Sequence, residues 1–472
     1  MNLGRAALSA FLAFSLAACG GGGSNSSAPP RGSGGTGTSA DTCSLSSRQD
    51  WARSVLEEWY LFPDLLATNV NKASFSDIDS YIDALVAPAR AQNKDRFFTY
   101  ITSIKEENEL IQNGSNAGFG ILLSYDTFAN KVFVAEAYET APAFLAGFDR
   151  GTEILQINGQ SVSSLMASGG PQAVINALGS SDPGVTRQFV IRSAAGVTTN
   201  PTVTKAEFPL DPISDRYGVR ILDNGASGPV GYINLRTFIV ADAADQLRAG
   251  FQQFRDQGVT HVILDLRYNG GGLVSVADTL GDLLGANLVG EVFSRTILRD
   301  SKSFENTTEL FRTEPNQIGT MKLAVIGRGG TASASELITN SMIPWLGNNI
   351  ALVGADTFGK PVGQFAFDRS ACDDRLRAVV FKTVNANGQG EYFDGLASVM
   401  PNTCSAGDDL ATQLGNPNEA SIKVALDFLG GRSCTPISVS RNDGTVNRRN
   451  DALQVLGPSG SQSVGALGPG VF

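Results

Sequence analysis

The amino-acid sequence predicts an α/β fold, and three observations lead to this expectation. Strand-like apolar runs alternate with helical patterns between residues 207 and 435, which is typical of a layered core with largely parallel strands. One of these strands ends in a turn of three glycines, and another leads into a turn of small hydroxyl residues at a helix start. The chain before residue 207 has a different character, so we expect two further domains there.

The predicted elements of this core follow one another at short intervals. Strand-like runs lie at 230–235, 262–266, 323–327, 350–355, 363–367 and 377–384, and helical patterns lie at 243–254, 273–284 and 335–346. Short continuous apolar runs of this kind are typical of buried strands. We therefore place the main domain at residues 207–435.

Residues 43–112 are predicted to form an N-terminal helical domain. Two groups of apolar residues recur there at helical spacing: Trp51, Ala52, Val55, Leu56, Trp59 and Tyr60, and then Ile78, Tyr81, Ile82 and Leu85. We interpret both groups as core contacts rather than as a ligand site. This segment would be a small cap or docking domain.

Composition and charge narrow the classes of partner. The 472 residues are 42% hydrophobic and 17% charged, as in an ordinary globular protein, and the net charge is −10. Since the chain has no lysine- or arginine-rich run, we expect no nucleic-acid partner and no electrostatic attachment to anionic lipid.

The first 19 residues predict a leader rather than a part of the fold. Arg5 gives a positive start, and the apolar run at 6–17 is too short to span a bilayer. The run ends in Leu16-Ala-Ala-Cys19, which resembles the lipobox of bacterial lipoproteins. The resemblance implies that Cys19 is lipidated and anchors the protein to a membrane, expected to be the outer membrane facing the periplasm. A plain secretory signal is the alternative interpretation of residues 1–19. Residues 20–42 are predicted to form a flexible Gly/Ser linker.

Four further cysteines suit an oxidising compartment: Cys43, Cys372, Cys404 and Cys434. Their even number allows three pairings. We favour Cys372 with Cys404 and Cys43 with Cys434. No two of them have CxxC spacing, so we expect no metal site.

Residues 113–206 resemble a PDZ domain. A glycine turn leads into a strand at Gly118-Phe119-Gly120-Ile121, and a Pro/Ala-containing helix and the hairpin 151–159 follow. Thr152-Glu153 departs from the usual Asp region of that hairpin. The resemblance implies that the backbone of Gly118, Phe119, Gly120 and Ile121 receives a peptide, which adds a strand to the sheet edge. A fold that only gates another site is the alternative.

The segment 331–336 is the candidate reaction centre. It places hydroxyls at a tight strand-to-helix turn, where free backbone N–H groups and the helix dipole favour negative charge. A serine nucleophile needs a base, but the chain has a single histidine, His261, which opens a buried strand. A lysine whose amine is kept neutral by burial is the remaining solution, and Lys360 follows a turn of this kind.

Three segments in this order resemble the signatures of the S41 family, the C-terminal processing or tail-specific proteases. They are Asp265-Leu-Arg-Tyr-Asn-Gly-Gly-Gly272, Thr331-Ala-Ser-Ala-Ser-Glu336 and Thr357-Phe-Gly-Lys-Pro-Val-Gly-Gln364. The resemblance covers about 114–430, including the upstream PDZ-like segment. It implies an α/β core related to the crotonase and ClpP folds, a Ser-Lys dyad, and no cofactor.

The resemblance also assigns roles. Ser333 would be the nucleophile, with Ser335 as its close competitor. Lys360 would be the base, and Gln364 would position the lysine amine. The backbone N–H groups of Gly271 and Ala334 would form the oxyanion hole.

The sequence departs from the family pattern at two positions beside these residues. Gly270 stands where proline is common, and Pro361 stands where glycine is usual. Neither departure touches a side chain needed for the chemistry, but Pro361 removes a backbone donor beside the base.

The sequence leaves two functional classes open. The first is an envelope serine endopeptidase that cleaves unstructured or C-terminal segments of proteins through an acyl-enzyme. The second is a non-catalytic peptide- or ligand-binding relative, in which the small residues at 331–336 serve only close packing and Lys360 is a surface charge.

The tail 436–472 is Ser/Gly/Asn-rich, and we expect it to be disordered. Its apolar end at Phe472 is a segment that a PDZ-like groove could accept in cis.

Overall fold

The computed structural model describes residues 42–438 and 453–455. The predictions for the leader, for Cys19 and for most of the linker and the tail lie outside the described residues. Within the described part of the chain, no helix is both long and apolar enough to cross a membrane.

The α-helices of the described residues include three N-terminal to the PDZ-like segment, two within it and four in the main domain. They are Leu45–Trp59 (α1), Ile78–Arg90 (α2), Ile104–Asn113 (α3), Pro142–Leu145 (α4), Val162–Leu178 (α5), Ala243–Asp256 (α6), Val274–Leu284 (α7), Ala334–Leu346 (α8) and Ala420–Leu429 (α9).

The strands fall into one sheet in the main domain, one in the PDZ-like segment, one that joins the N-terminal segment to the main domain, and one small pair. The first ten are Tyr100–Ser103 (β1), Ser115–Gly118 (β2), Ile121–Asp126 (β3), Lys131–Ala137 (β4), Glu153–Ile157 (β5), Gln160–Ser161 (β6), Thr186–Arg192 (β7), Thr198–Thr199 (β8), Thr202–Thr204 (β9) and Ala206–Pro209 (β10). The others are Val219–Asp223 (β11), Pro229–Asn234 (β12), His261–Asp265 (β13), Val292–Leu298 (β14), Thr307–Leu310 (β15), Lys322–Gly327 (β16), Ile350–Gly354 (β17), Val362–Arg369 (β18), Asp374–Val384 (β19), Thr403–Ser405 (β20) and Leu453–Val455 (β21).

A six-stranded sheet forms the centre of the main domain. Its order is β11-β12-β13-β16-β17-β20, and every pairing except β11 with β12 is parallel. Val262 and Leu264 pack with helices α6, α7 and α8 on one face, whereas Ile263 packs with α9 on the other. Both faces of the central strands are therefore buried, which explains their continuous apolar runs. The predicted alternation of strands and helices is confirmed.

The parallel arrangement brings three predicted motifs to one edge of this sheet. Strands β13, β16 and β17 are neighbours, and each ends just before one of the motifs. Because parallel strands have their carboxyl ends at the same edge, the turns that follow them converge there. His261 begins β13 and therefore lies at the opposite end of that strand.

The N-terminal segment shares a core with the main domain. Helices α1 and α2 are present as predicted, and Leu56 and Tyr81 from them join one buried cluster with Leu376 of β19. Strand β1, which the sequence did not indicate, pairs antiparallel with β19. The expectation of a separate cap domain therefore needs correction, because these helices cover the sheet that contains β18 and β19.

The PDZ-like segment forms its own sheet around a separate cluster. Its order is β21-β3-β4-β5-β7-β8, with β6 and β9 paired off this path. Phe119 and Phe189 meet edge-on in the core, with ring centroids 5.3 Å apart. Gly120 has φ +76°, and a Cβ there would lie 2.0 Å from the Cβ of Ala141. The glycine turn before β3 thus has a steric requirement for glycine.

The disulfide pairing that we favoured is wrong. The structure joins Cys43 to Cys372 and Cys404 to Cys434, with Cα–Cα distances of 5.5 Å and 5.4 Å. Cys372 lies at the turn between β18 and β19, whereas Cys404 lies in β20 of the central sheet. Cys43 precedes α1 and Cys434 follows α9, and sequence spacing does not reveal which cysteine each of them meets.

The tail also departs from expectation. Within the segment predicted to be disordered, Leu453–Val455 forms β21 and pairs antiparallel with β3. Pairing with a sheet edge uses backbone groups, so the absence of hydrophobic periodicity gave no indication of it. Phe472 lies outside the described residues.

Candidate active site

Ser333 lies at the turn between β16 and α8. It is the N-cap residue of α8, is half-buried, and has φ 57° and ψ −115°. This backbone conformation is costly for a residue with a side chain, and such strain is concentrated at functional sites. The turn therefore holds Ser333 in a conformation that an ordinary helix cap does not require.

Ser335 has a different environment from Ser333. It is fully buried, and its hydroxyl donates to the Asn269 carbonyl oxygen at 3.0 Å. The Ala332 N–H donates to the same carbonyl. Ser335 therefore joins the serine turn to the glycine turn, and its hydroxyl is already engaged.

The Glu336 carboxylate links the serine turn to the lysine loop. It is fully buried, and one oxygen accepts the N–H of Ser333 at 3.0 Å and the N–H of Lys360 at 2.7 Å. The other oxygen accepts the Thr357 hydroxyl at 2.6 Å and the Gly359 N–H at 2.7 Å. Burial raises the pKa of Glu336, and these four hydrogen bonds oppose the rise. One carboxylate thus fixes the backbone on both sides of the candidate dyad.

Lys360 has the environment that a neutral amine needs. Its side chain is buried, its Nζ donates to Gln364 Oε1 at 3.1 Å, and the amine lies 4.9 Å from the centroid of the Phe98 ring. Burial lowers the pKa of Lys360 to about 8, although the charges of Asp95 and Glu336 act in the opposite direction. Among the described residues, no carboxylate forms an ion pair with this amine.

Gln364 is held in one orientation by the N-terminal segment. Its Nε2 donates to the Phe98 carbonyl oxygen at 2.6 Å, so its Oε1 is left to face Lys360. The acceptor beside the amine is therefore neutral, and it stabilises the ammonium form less than a carboxylate would.

The structure brings Ser333, Lys360 and Gln364 to one edge of the sheet, but it does not pair the serine with the lysine directly. Within the described part of the chain, no hydrogen bond joins the Ser333 hydroxyl to the Lys360 amine. Their backbones share the same Glu336 oxygen. Catalytic hydrogen bonds are often longer before substrate binds.

Ala334 presents a backbone donor at the start of α8. Its N–H donates to no acceptor among the described residues, as expected in the first turn of a helix. It therefore remains available to bind a negative oxygen.

The assignment of Gly271 as a second donor is contradicted. The Gly271 N–H donates to Asn269 Oδ1 at 2.8 Å, in the local turn that asparagine side chains commonly form. The neighbouring Gly272 N–H has no acceptor within the described residues.

Gly271 instead has a steric role. Its φ is +101°, and a Cβ there would lie 2.8 Å from Ser333 Cβ and 2.9 Å from the Ala334 nitrogen. Any side chain would therefore occupy the space in front of the Ala334 N–H.

Several residues of the site were not identified from the sequence. Asn269 is fully buried and donates from Nδ2 to the Leu235 carbonyl oxygen at 2.8 Å. Arg96 contacts the carbonyl oxygens of Phe358 and Gly359 in the lysine loop. Nothing in the spacing of the sequence connects residues near 96 with a loop near 360, so only the fold could reveal this contact.

The residues assigned to peptide binding lie in a different sheet. Gly118, Phe119, Gly120 and Ile121 lie in or between strands β2 and β3, and neither strand belongs to the six-stranded sheet of the main domain.

A buried charge network joins that domain to the glycine turn. From the PDZ-like segment, Arg150 donates to the Tyr268 hydroxyl at 2.7 Å and to Asp408 at 2.8 Å. Tyr268 immediately precedes Asn269, so the network ends next to the candidate site.

Sequence comparison relates the chain to a known group of enzymes. Residues 229–397 match the profile of Peptidase family S41. The carboxyl-terminal-processing protease of Synechocystis sp. is 27% identical over 263 residues, which cover 56% of this chain and 57% of that protein. The carboxy-terminal processing protease CtpA of Bacillus subtilis is 23% identical over 327 residues, which cover 68% of this chain and 64% of that protein. The chain spans about half the length of the first curated relatives that it matches.

Structural comparison agrees on the fold. A crystal structure from Bacteroides fragilis, described as that of an S41 protease, superposes with a TM-score of 0.64 at 22% identity and covers 81% of this chain and 97% of that one. Residues 229–397 thus match the profile of Peptidase family S41, and the chain is similar in sequence to the carboxyl-terminal-processing proteases.

Proposed function

We propose that the protein is a serine endopeptidase in which Ser333 is the nucleophile and Lys360 the general base. The observation that carries this proposal is the environment of Lys360, whose buried amine faces a neutral amide and has a pKa of about 8. With that value, about one tenth of the lysine is neutral at pH 7. A lysine at its ordinary pKa of about 10.4 would offer almost no base.

The reaction follows from these groups. Lys360 removes the proton of the Ser333 hydroxyl as the serine oxygen attacks a peptide carbonyl, and the oxygen of that carbonyl becomes negative. The Ala334 N–H stabilises this oxygen, with the Gly272 N–H as the proposed second donor. The C–N bond then breaks as the lysine returns the proton to the leaving amine. Water next attacks the acyl-enzyme, with Lys360 removing a proton from the water and returning it to the Ser333 oxygen.

A non-catalytic binding protein is the alternative from another class. A carrier would have no need for a strained serine, a buried lysine and a glutamine fixed in one orientation. The joint presence of Ser333, Lys360 and Gln364 at one edge therefore supports the peptidase.

For the PDZ-like segment, we propose recruitment of polypeptide. The edge of β3 beside Gly118–Ile121 offers backbone groups to an extended chain, and unfolded or C-terminal segments can present such a chain. Arg150 connects this domain to the turn before Asn269, so docking and catalysis have a physical route for coupling.

The choice of nucleophile is tested by matched variants. Ser333→Ala and Lys360→Met should each lower hydrolysis of an unfolded protein, measured without added metal, by about 10³-fold or more, because each removes a group that acts in the acyl transfer. Ser335→Ala should keep most of the activity and lose about 1 kcal/mol of stability with its hydrogen bond to Asn269. Thermal unfolding shows whether each variant is folded. Activity in Ser333→Ala, together with its loss in folded Ser335→Ala, would mean that Ser335 is the nucleophile.

The steric role of Gly271 gives a second prediction. Gly271→Ala should lower the rate of acylation by about 100-fold or more, since its methyl would cover the Ala334 N–H. Gly270→Ala is the matched control, because Gly270 is not among the positive-φ residues. Labelling by a serine-directed probe measures both variants, and equal labelling of the two would refute the proposed place of the oxyanion.

We also propose the envelope location and the lipid anchor at Cys19, on the resemblance of Leu16–Cys19 to a lipobox. Cys19→Ser should release the protein from the membrane fraction and abolish incorporation of labelled fatty acid. Retention of the variant in that fraction would require another anchor.

A further inference from the structure

The tail strand β21 occupies the outer edge of β3. Leu453 pairs with Asp126, Gln454 with Tyr125 and Val455 with Ser124. Strand β4 pairs along the other side of β3, so within the described residues β21 is the final strand of that sheet. Without β21, strand β3 would expose a row of unpaired backbone groups.

The direction of β21 is informative. As the tail runs from Leu453 to Val455, its partners in β3 run from Asp126 back to Ser124. The carboxyl end of the added strand therefore points toward the glycine turn at 118–120, which precedes β3. A peptide bound by strand addition, with its C-terminus at this turn, would run in the same direction.

Within the described residues, β21 pairs with only part of β3. Ile121, Leu122 and Leu123 have no partner in β21, and they are the residues of β3 nearest to the glycine turn. The described pairing is three residues long, so an extended polypeptide that also pairs with residues 121–123 forms more hydrogen bonds along β3 than residues 453–455 do. Replacement of β21 by such a polypeptide is therefore favoured once that polypeptide is abundant.

We propose that residues 453–455 occupy, in cis, the edge of β3 on which the substrate polypeptide docks, so that substrate must displace the chain's own tail. This rests on the proposed recruitment by the PDZ-like segment. The tail is covalently joined to the domain, so its pairing with this edge is intramolecular and does not depend on protein concentration. Occupancy by the tail reduces the fraction of molecules that can accept substrate, and the apparent affinity falls by that fraction.

The test uses the full chain with a proline in the tail. Gln454→Pro removes a backbone donor and disfavours strand pairing, whereas Gln454→Ala keeps the backbone and serves as the control. Val455→Pro repeats the change at the next position. None of these positions belongs to the catalytic site.

Two readouts are independent of catalysis. The first is hydrogen exchange of residues 124–126, which should be faster in both proline variants than in the wild type and in Gln454→Ala. The second is binding of a fluorescent peptide with the sequence of residues 450–458, which should be at least about threefold tighter in the proline variants. A third readout, hydrolysis of an unfolded protein, should show a lower KM with unchanged kcat.

The outcomes separate this inference from the proposed function. Equal exchange and equal peptide affinity in all four proteins would overturn the cis occupancy. Faster exchange and tighter peptide binding in a chain that hydrolyses nothing would support the cis occupancy and contradict only the peptidase proposal. Faster exchange without tighter peptide binding would overturn the competition for a docking edge.

Discussion

The carboxylate of Glu336 is the interaction on which the candidate site depends. An ionised carboxylate in the interior is costly unless hydrogen bonds satisfy it, and here four donors converge on it. It also lies in the first turn of α8, where the helix dipole favours negative charge. Because the donors come from the serine turn and from the lysine loop, the carboxylate determines the separation of two segments that follow different strands.

The pocket of Lys360 depends in turn on the N-terminal segment. Phe98 supplies the aromatic face beside the amine and the carbonyl that orients Gln364. The Asp95 carboxylate accepts the N–H of Phe98 at 2.8 Å and so holds the turn that contains Phe98. The shared core of α1, α2 and β19 therefore bears on the candidate site, since it places this turn against Lys360. A domain that merely covered the site would not need these contacts.

The sequence indicated the parts of the site that follow from local pattern. Continuous apolar runs predicted β13, β16 and β17, and parallel pairing then placed the motifs after them at one edge. The single histidine at the start of a buried strand argued against a histidine triad, and the structure places His261 at the far end of β13.

Long-range relations could not be predicted in this way. The disulfide partners, strand β1 and strand β21 depend on segments brought together from distant parts of the chain. The Gly271 N–H was misassigned because the Asn269 side chain, two residues earlier, binds it. Competition between a local turn and a ligand for the same donor is decided by side-chain geometry rather than by residue type.

We propose that Lys360 is a buried base with a lowered pKa. The most direct measurement is the pH dependence of acylation by a slow serine-directed probe in the wild type and in Lys360→Met. We expect the wild-type rate to rise about tenfold per pH unit below the pKa of about 8 and to level above it, because only the neutral amine accepts the serine proton. The rate in Lys360→Met should be very low at every pH. A flat profile from about pH 6 to 10, with undiminished labelling of Lys360→Met, would show that Lys360 is not the base.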